Sequence, residues 1–164
     1  MKKLHLIRHA KSSWTHPGLG DVERPLNERG IRACSRMARP ILEAGCRFEH
    51  VYCSVAKRAQ LTIEGIAASL PELDIEWRID ESLYTFSARD LLHWVHLLDA
   101  SINEVIMVGH NPAMTEFCNA MGNSSIANMP TCGYAQLHFP VKNWEEVGPG
   151  VGTLEKFLAP KLLK

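Results

Sequence analysis

The sequence lacks an excess of charge of either sign, and it lacks any long apolar run. Its 18 lysine and arginine residues balance 18 aspartate and glutamate residues. Without a global positive field the protein has no general attraction for nucleic acid or an anionic membrane, and we expect neither as a partner. Arg8, His9 and Lys11 interrupt the apolar start too early for a signal peptide, and no stretch approaches the roughly 18 apolar residues of a membrane span. We therefore expect a soluble, cytoplasmic protein that binds anions only where cations cluster locally.

The cysteines lack the paired spacing of a metal site or a disulfide framework. There are five of them, at Cys34, Cys46, Cys53, Cys118 and Cys132. A chain of 164 residues, 46% of them hydrophobic, can bury a full core without disulfides. We expect five buried thiols in a single domain spanning residues 1–164. Because no compact group of acidic residues and histidines resembles a metal site, we expect no metal and no other cofactor.

Short apolar runs alternate with segments of helical period, which is typical of an α/β domain. Expected strands cover residues 4–9, 50–53, 75–78, 105–108, 133–139 and 152–158, and the pairing of the last two stays open. Expected helices begin at Glu28, after a cap at Ser54, after a capping box of Ser87 and Asp90, and after a cap at Asn111. The first has an apolar face that includes Ile31, Cys34 and Met37.

Three of these strands end at residues that can carry chemistry. Arg8 and His9 close the first strand, Ser54 follows the second, and Gly109 and His110 follow the strand at 105–108. Because ligands bind beyond the carboxyl ends of strands in open α/β sheets, we expect these residues to meet at one edge. A neutral imidazole is a competent nucleophile towards phosphorus, and a guanidinium can grip phosphate oxygens with two donors.

Arg58 adds a second guanidinium near the start of the expected second helix, where unpaired backbone amides also favour an anion. An arginine opposes the helix dipole at that position. Such a local conflict is expected at functional sites more than at purely structural ones. The Arg-His pair alone favours a structural explanation, and its combination with Arg58 and His110 favours a phosphate site.

These three elements, in this order, resemble the strand-end Arg-His, Ser-x-x-x-Arg-Ala and Gly-His motifs of the histidine phosphatase superfamily, also called phosphoglycerate-mutase-like. The chain is most similar to the small branch of protein phosphohistidine phosphatases like SixA, over nearly its whole length. The segments that carry this resemblance are residues 8–14, 21–30 and 129–131. It implies a three-layer α/β/α sandwich around a mostly parallel sheet.

The resemblance also implies residue roles. His9 would be the nucleophile that becomes phosphohistidine, Arg8 and Arg58 would bind the phosphoryl oxygens, and His110 would donate a further hydrogen bond. Arg24 matches an arginine beside the pocket. Glu81 matches the acidic residue of the mutase-like branch and would protonate the leaving group if burial raised its pKa. An exposed loop carboxylate is the alternative.

The sequence departs from the larger mutase-like members in two ways. Ala10 replaces the usual glycine after the Arg-His pair, and little chain is available for insertions over the pocket. We therefore expect an open, shallow site, which suits a phosphorylated protein better than a small phosphorylated substrate that must be enclosed.

Other functions stay open at this point. A cysteine phosphatase would need a Cys-x5-Arg loop, but only four residues separate Cys53 from Arg58. A zinc module of His5, His9 and His16 with the nearby Asp21 would need closer ligands than one strand face provides. The remaining alternatives are a phosphatase of small phosphate esters and a module that binds phosphohistidine without turnover.

Overall fold

Six strands form one sheet, and their order places the first strand of the chain inside it. The structure is a computed structural model that describes residues 1–163. The strands are β1 (Lys2–Arg8), β2 (Val51–Cys53), β3 (Trp77–Ile79), β4 (Glu104–Gly109), β5 (Tyr134–Phe139) and β6 (Thr153–Leu158). Their order in the sheet is β3-β2-β4-β1-β5-β6. The first four in that order are parallel, whereas β5 runs antiparallel to β1 and β6 antiparallel to β5.

Two helices cover each face of the sheet. They are α1 (Glu28–Glu43), α2 (Lys57–Ala68), α3 (Ala88–His96) and α4 (Ala113–Met121). Leu6 belongs to a buried cluster with α3 and α4, whereas its neighbour Ile7 belongs to a second cluster with α1 and α2. Consecutive strand residues face opposite sides of a sheet, so these two clusters are its two layers of core. The expected three-layer α/β/α sandwich with a mostly parallel sheet is confirmed.

The helices begin near the predicted residues, but none of the three predicted caps forms as expected. Asn111 was expected to cap α4, but the N-cap position is Pro112, which has no side-chain cap. Ser54 does not cap α2, whose N-cap position is Ala56 and has no side-chain cap. Ser87 occupies the N-cap of α3 without a capping bond, because Asp90 accepts its hydrogen bond from the hydroxyl of Thr85. Asn27 does cap α1, accepting from the amide of Gly30 at 2.8 Å.

All five cysteines are buried and free, as expected. Within residues 1–163, no helix is long and apolar enough to cross a lipid bilayer.

Candidate active site

The ends of β1, β2 and β4 bring the predicted residues to one edge of the sheet. β1 and β4 pair in register up to Arg8 and Gly109, and the His9 amide donates to the Gly109 carbonyl at 3.0 Å. The Ser54 amide donates to the Val108 carbonyl at 3.0 Å. These contacts continue the sheet for one residue beyond its strands. His9, Ser54 and His110 therefore begin their loops side by side.

His9 is held as a buried neutral imidazole with a defined orientation. Its side chain is 8% exposed, and Nδ1 lies 2.7 Å from the carbonyl oxygen of Ala10. A carbonyl can only accept, so Nδ1 carries the proton and Nε2 keeps its lone pair. Burial and the nearby positive charges, foremost that of Arg58, lower the pKa of His9 to about 4, although the Ala10 hydrogen bond opposes them. A nucleophilic nitrogen is thus available at neutral pH.

His110 lies beside it, with the two ring centroids 5.2 Å apart. Its Nε2 is 2.8 Å from the Ser54 hydroxyl, and its Nδ1 is 3.5 Å from Nη2 of Arg58. Because a guanidinium only donates, Nδ1 is the accepting nitrogen in this arrangement. Burial, followed by the proximity of His9 and Arg58, lowers the pKa of His110 to about 3. Both imidazoles are therefore neutral.

Arg58 is the second residue of α2, as the sequence predicted, and its side chain is almost fully buried. Its backbone carbonyl accepts from the hydroxyl of Thr62 at 2.7 Å, and that hydroxyl accepts from the Ala10 amide at 2.8 Å. The first turn of α2 is thus tied to the loop that follows His9. These bonds fix the position of the guanidinium relative to the imidazole.

Asp21 is a site residue that the sequence suggested only for the zinc alternative and not for the phosphate site. It lies in a 3-10 turn over residues 21–23, and its carboxylate bonds to Arg58, to Arg24 at 3.0 Å and to the Tyr84 hydroxyl at 2.5 Å. Although burial opposes it, hydrogen bonding from Tyr84 and from Arg58 lowers the pKa of Asp21 to about 2. The available signal was its place in the 21–30 segment, two residues before Glu23 and three before Arg24. Arg24 and Arg58 therefore already contact one anion, the Asp21 carboxylate.

Arg8 approaches from the end of β1, and Arg24 approaches from the loop between β1 and α1. Arg8 Nη1 donates to the Met129 carbonyl at 2.8 Å, while its Nε is buried without a hydrogen-bond partner in residues 1–163. Burial lowers the pKa of Arg8. Arg24 bonds to the carbonyl of Ser13 and to the hydroxyl of Ser12, and its guanidinium carbon lies 3.2 Å from the centroid of the Trp14 ring. Arg24 therefore holds the polar loop in place over the site.

Glu81 is exposed, which is the alternative that the sequence left open. It opens a 3-10 turn over residues 81–83 and is exposed to solvent. Its neighbours in a surface depression include Tyr84, Thr85 and Asp90, and His9 is not among them. In the part of the chain that the structure describes, no hydrogen bond joins its carboxylate to the two histidines or the three arginines. The short turn that carries Glu81 leaves the side chain outside the pocket, so the desolvation invoked for it is absent.

The rim of the site carries exposed aromatic rings. Trp14 is 79% exposed and lines a depression of about 280 Å³ together with Ser13, Asp21 and Arg24. Phe86 is 47% exposed, and its ring centroid is 5.5 Å from that of His110. The site is therefore open on this side.

Two alternative chemistries are incompatible with the geometry. Burial raises the pKa of Cys53 to about 12, so its thiol is not the reactive thiolate of a cysteine phosphatase. His5 is fully buried, with Nδ1 2.6 Å from the Tyr134 hydroxyl and Nε2 2.8 Å from Glu104. Its ring nitrogens are occupied away from the sheet edge, so it is not a zinc ligand beside His9.

Comparison with known proteins agrees with this geometry. The sequence matches the histidine phosphatase superfamily (branch 1) over residues 4–91, more than half of the chain. The chain belongs to the histidine phosphatase superfamily. Within it, a 2,3-bisphosphoglycerate-dependent phosphoglycerate mutase of Lactiplantibacillus plantarum is 32% identical over 90 residues, which are 51% of this chain and 39% of the mutase.

Two solved structures of the superfamily are similar over nearly the whole chain. A candidate phosphohistidine phosphatase SixA from Agrobacterium tumefaciens has a TM-score of 0.78 and 25% identity, covering 97% of this chain and 98% of that one. A candidate SixA from Nakamurella multipartitia has a TM-score of 0.80 and 21% identity, covering 97% and 96%. The resemblance of the sequence to this superfamily and to its SixA-like branch is confirmed.

Proposed function

We propose that this member of the superfamily is a metal-independent phosphatase and that Nε2 of His9 takes the phosphoryl group from the substrate. The observation that carries the proposal is the hydrogen bond from Nδ1 of His9 to the Ala10 carbonyl, at 2.7 Å. It leaves Nε2 as the only ring nitrogen with a free lone pair. Because the pKa of His9 is lowered to about 4, that lone pair is not lost to protonation near neutral pH.

Arg8, Arg58 and His110 would grip the phosphoryl oxygens. Phosphoryl transfer needs in-line placement and fixed positive donors around three equatorial oxygens. The buried Nε of Arg8 has no partner in residues 1–163, which is costly for a charged group and supports a ligand at that position. His110 would donate from Nδ1 in its other neutral tautomer, in which the ring proton is on Nδ1 and Nε2 accepts a hydrogen bond from the Ser54 hydroxyl at the existing 2.8 Å separation. Arg24 would contribute positive charge from the rim.

The reaction has two steps. Nε2 of His9 forms a bond to phosphorus as the bond from phosphorus to the leaving group breaks, and the leaving group takes up a proton. Water then attacks phosphorus, the P–N bond breaks, and inorganic phosphate leaves a neutral His9. The surrounding guanidinium groups stabilise the negative charge that spreads over the oxygens in each transition state.

We further propose phosphohistidine in proteins as the substrate. The exposed Trp14 and Phe86 flank an open site that a side chain on a protein surface can enter. The structural similarity to SixA-like proteins supports the same assignment. An imidazole leaves more easily than an alkoxide, so this substrate requires little acid assistance, which agrees with the exposure of Glu81. A role for Glu81 as general acid stays a prediction for ester substrates.

The decisive experiment traps the intermediate. A phosphohistidine peptide labelled on phosphorus is mixed with the protein, the reaction is quenched, and the protein is digested and mapped. We expect an acid-labile, base-stable label on the peptide that contains His9, and none in His9→Gln. His93→Gln, which removes an exposed histidine on α3, is the matched control and should label normally. A label that survives acid, or that persists in His9→Gln, would refute the mechanism.

Substrate class and metal independence are tested alongside. The kcat/KM values for a phosphohistidine protein, a phosphohistidine peptide and small phosphate esters separate a protein phosphatase from an esterase of small molecules. Orthovanadate, which mimics the five-coordinate transition state, should inhibit, and EDTA should not. Tight binding of phosphohistidine without turnover would indicate a binding module instead.

A further inference from the structure

A cluster of four cations lies on the surface outside the pocket described above. Lys11, Arg29, Arg32 and Arg36 line a depression of about 230 Å³, which Ala33, Thr131 and Pro160 complete. None of its lining residues is acidic. Arg29, Arg32 and Arg36 are three and four residues apart on α1, so they share one face of the helix. We call these four residues the basic patch.

The charges of the basic patch are largely unneutralised. In residues 1–163 its one ion pair joins Arg32 to Glu28 at 3.9 Å, and both side chains are well exposed. Exposed pairs at such a distance contribute little. Arg36 donates to the Pro160 carbonyl at 3.3 Å, which does not neutralise it. In a chain whose total charge is zero, the patch is a local positive field of the kind that attracts a complementary partner.

The basic patch lies on the same edge of the sheet as His9. Lys11 follows His9 by two residues, so their Cα atoms are at most about 7 Å apart. β5 starts at that edge because Ile7 pairs with Tyr134, and β6 ends there because Tyr134 pairs with Leu158. Thr131 precedes β5 and Pro160 follows β6. The depression therefore lies at the same edge of the sheet as the candidate site.

Tight packing fixes the basic patch relative to His9. The Asn27 amide donates to the Lys11 carbonyl at 3.0 Å. A methyl group on Gly30 would lie only 2.2 Å from that carbonyl oxygen, so the first turn of α1 rests directly on the backbone of Lys11. A partner that contacts α1 would accordingly be held at a defined position relative to the imidazole.

We propose that the basic patch docks the acidic surface that surrounds the phosphorylated residue of a protein substrate. This inference rests on the proposed function. A single phosphoryl group held by Arg8 and Arg58 cannot also reach the patch, whose arginines span about 10 Å along α1 at 1.5 Å per residue. Several carboxylates on a protein surface match that spacing, and their contribution would appear mainly in the association step.

The test compares two phosphohistidine peptides, one with four flanking glutamates and one with four flanking glutamines. For the unaltered protein we expect kcat/KM to be about tenfold higher with the acidic peptide, and the difference to shrink at high salt. In Arg29→Glu/Arg36→Glu the preference should disappear, while turnover of p-nitrophenyl phosphate stays within about twofold, since neither arginine belongs to the phosphate pocket.

The matched control is Arg47→Glu/Lys142→Glu, which changes the net charge equally at two exposed residues located at the opposite edge of the sheet. It should retain the preference. Equal rates with both peptides, or a preference that persists in Arg29→Glu/Arg36→Glu or is lost in the control, would overturn the docking inference. The inference would also be overturned if Arg29→Glu/Arg36→Glu lowered kcat/KM only for small bisphosphates and not for the acidic peptide, because the patch would then bind a second phosphate group. If neither peptide is hydrolysed and His9 is never labelled, the proposed function fails instead.

Discussion

Asp21 lies against the guanidinium of Arg58, with Oδ2 2.9 Å from Nη2 and the Asp21 backbone carbonyl 2.6 Å from Nη1. The carboxylate thus occupies donors that a phosphoryl group would use. A bound phosphate has to displace this carboxylate or share the guanidinium with it. Asp21 therefore competes with a bound phosphate for the guanidinium of Arg58.

Asp21→Asn should tighten the binding of inorganic phosphate. The amide keeps the shape and can still accept from Arg58, but it removes the negative charge that repels the ligand. We expect the inhibition constant of phosphate to fall severalfold, roughly tenfold at most for a half-exposed charge. Glu72→Gln, which removes an exposed carboxylate paired with Arg39, is the control and should leave the constant unchanged. Unchanged or weaker binding by Asp21→Asn would show that the carboxylate does not compete.

Ser54→Ala should lower activity by releasing His110. The hydroxyl lies 2.8 Å from Nε2 of His110 and also accepts from the Ala56 amide at 3.2 Å. Since small displacements of catalytic groups are costly, we expect kcat to fall about tenfold or more, with a smaller change in KM. Ser69→Ala is the control. It removes a hydroxyl that donates to the Gly65 carbonyl at the C-terminal end of α2, and it should leave kcat unchanged. A loss of thermal stability without a change in kcat would assign Ser54 a purely structural role.

The stability of the fold should decrease as the pH falls from about 6.5 to about 4. The folded-state pKa values of His9 and His110 are lowered to about 4 and about 3, so the unfolded chain binds more protons in this window. Each histidine can contribute a slope of up to about 1.4 kcal/mol per pH unit. Asp21, whose pKa is lowered to about 2, contributes stability that is retained throughout this window.

Urea unfolding at several pH values measures this slope. His110→Gln should make it shallower, because one proton-binding difference is removed. Ser69→Ala, which removes no titratable group, should leave the slope as it is. A slope that does not respond to His110→Gln would show that this histidine is not held neutral by the fold.

Gly30→Ala should destabilise the protein. Its new methyl group would lie 2.2 Å from the Lys11 carbonyl oxygen, and backbone atoms cannot move aside cheaply. We expect the free energy of unfolding to fall by more than about 2 kcal/mol, measured by urea unfolding. Gly148→Ala meets no atom within 4 Å and should change it by less than about 0.5 kcal/mol. Similar values for both variants would mean that α1 does not rest on the Lys11 backbone.

The sheet and the shared edge could be predicted because they depend on local patterns. Apolar runs identify β1 and β4, and the change from apolar to polar at Arg8 and Gly109 identifies their ends. The predicted apolar face of α1 is only partly correct. Cys34 and Met37 are buried, whereas Ile31 is 58% exposed beside the N-terminal turn.

The contacts of the site could not be predicted because they join loops that are distant in sequence. Nothing within the Asp21 segment indicates that Arg58 and Tyr84 approach it. Whether Glu81 is buried could not be decided from its matching position, because burial is a property of the packed chain, and the turn over residues 81–83 holds that carboxylate in solvent. Ser54 was taken for a cap because it precedes a helix, whereas its hydroxyl bonds to His110.

The position of β1 has a consequence for how the pocket assembles during folding. β1 pairs with β4 and β5, which come much later in the chain, and with no strand close to it in sequence. Closing such long loops costs chain entropy before any contact compensates, so pairing of this kind is slow. His9 and Arg8 can reach their final positions only after β4 and β5 have joined the sheet. A chain truncated before β5 would contain most of the pocket's side chains and still lack the pocket.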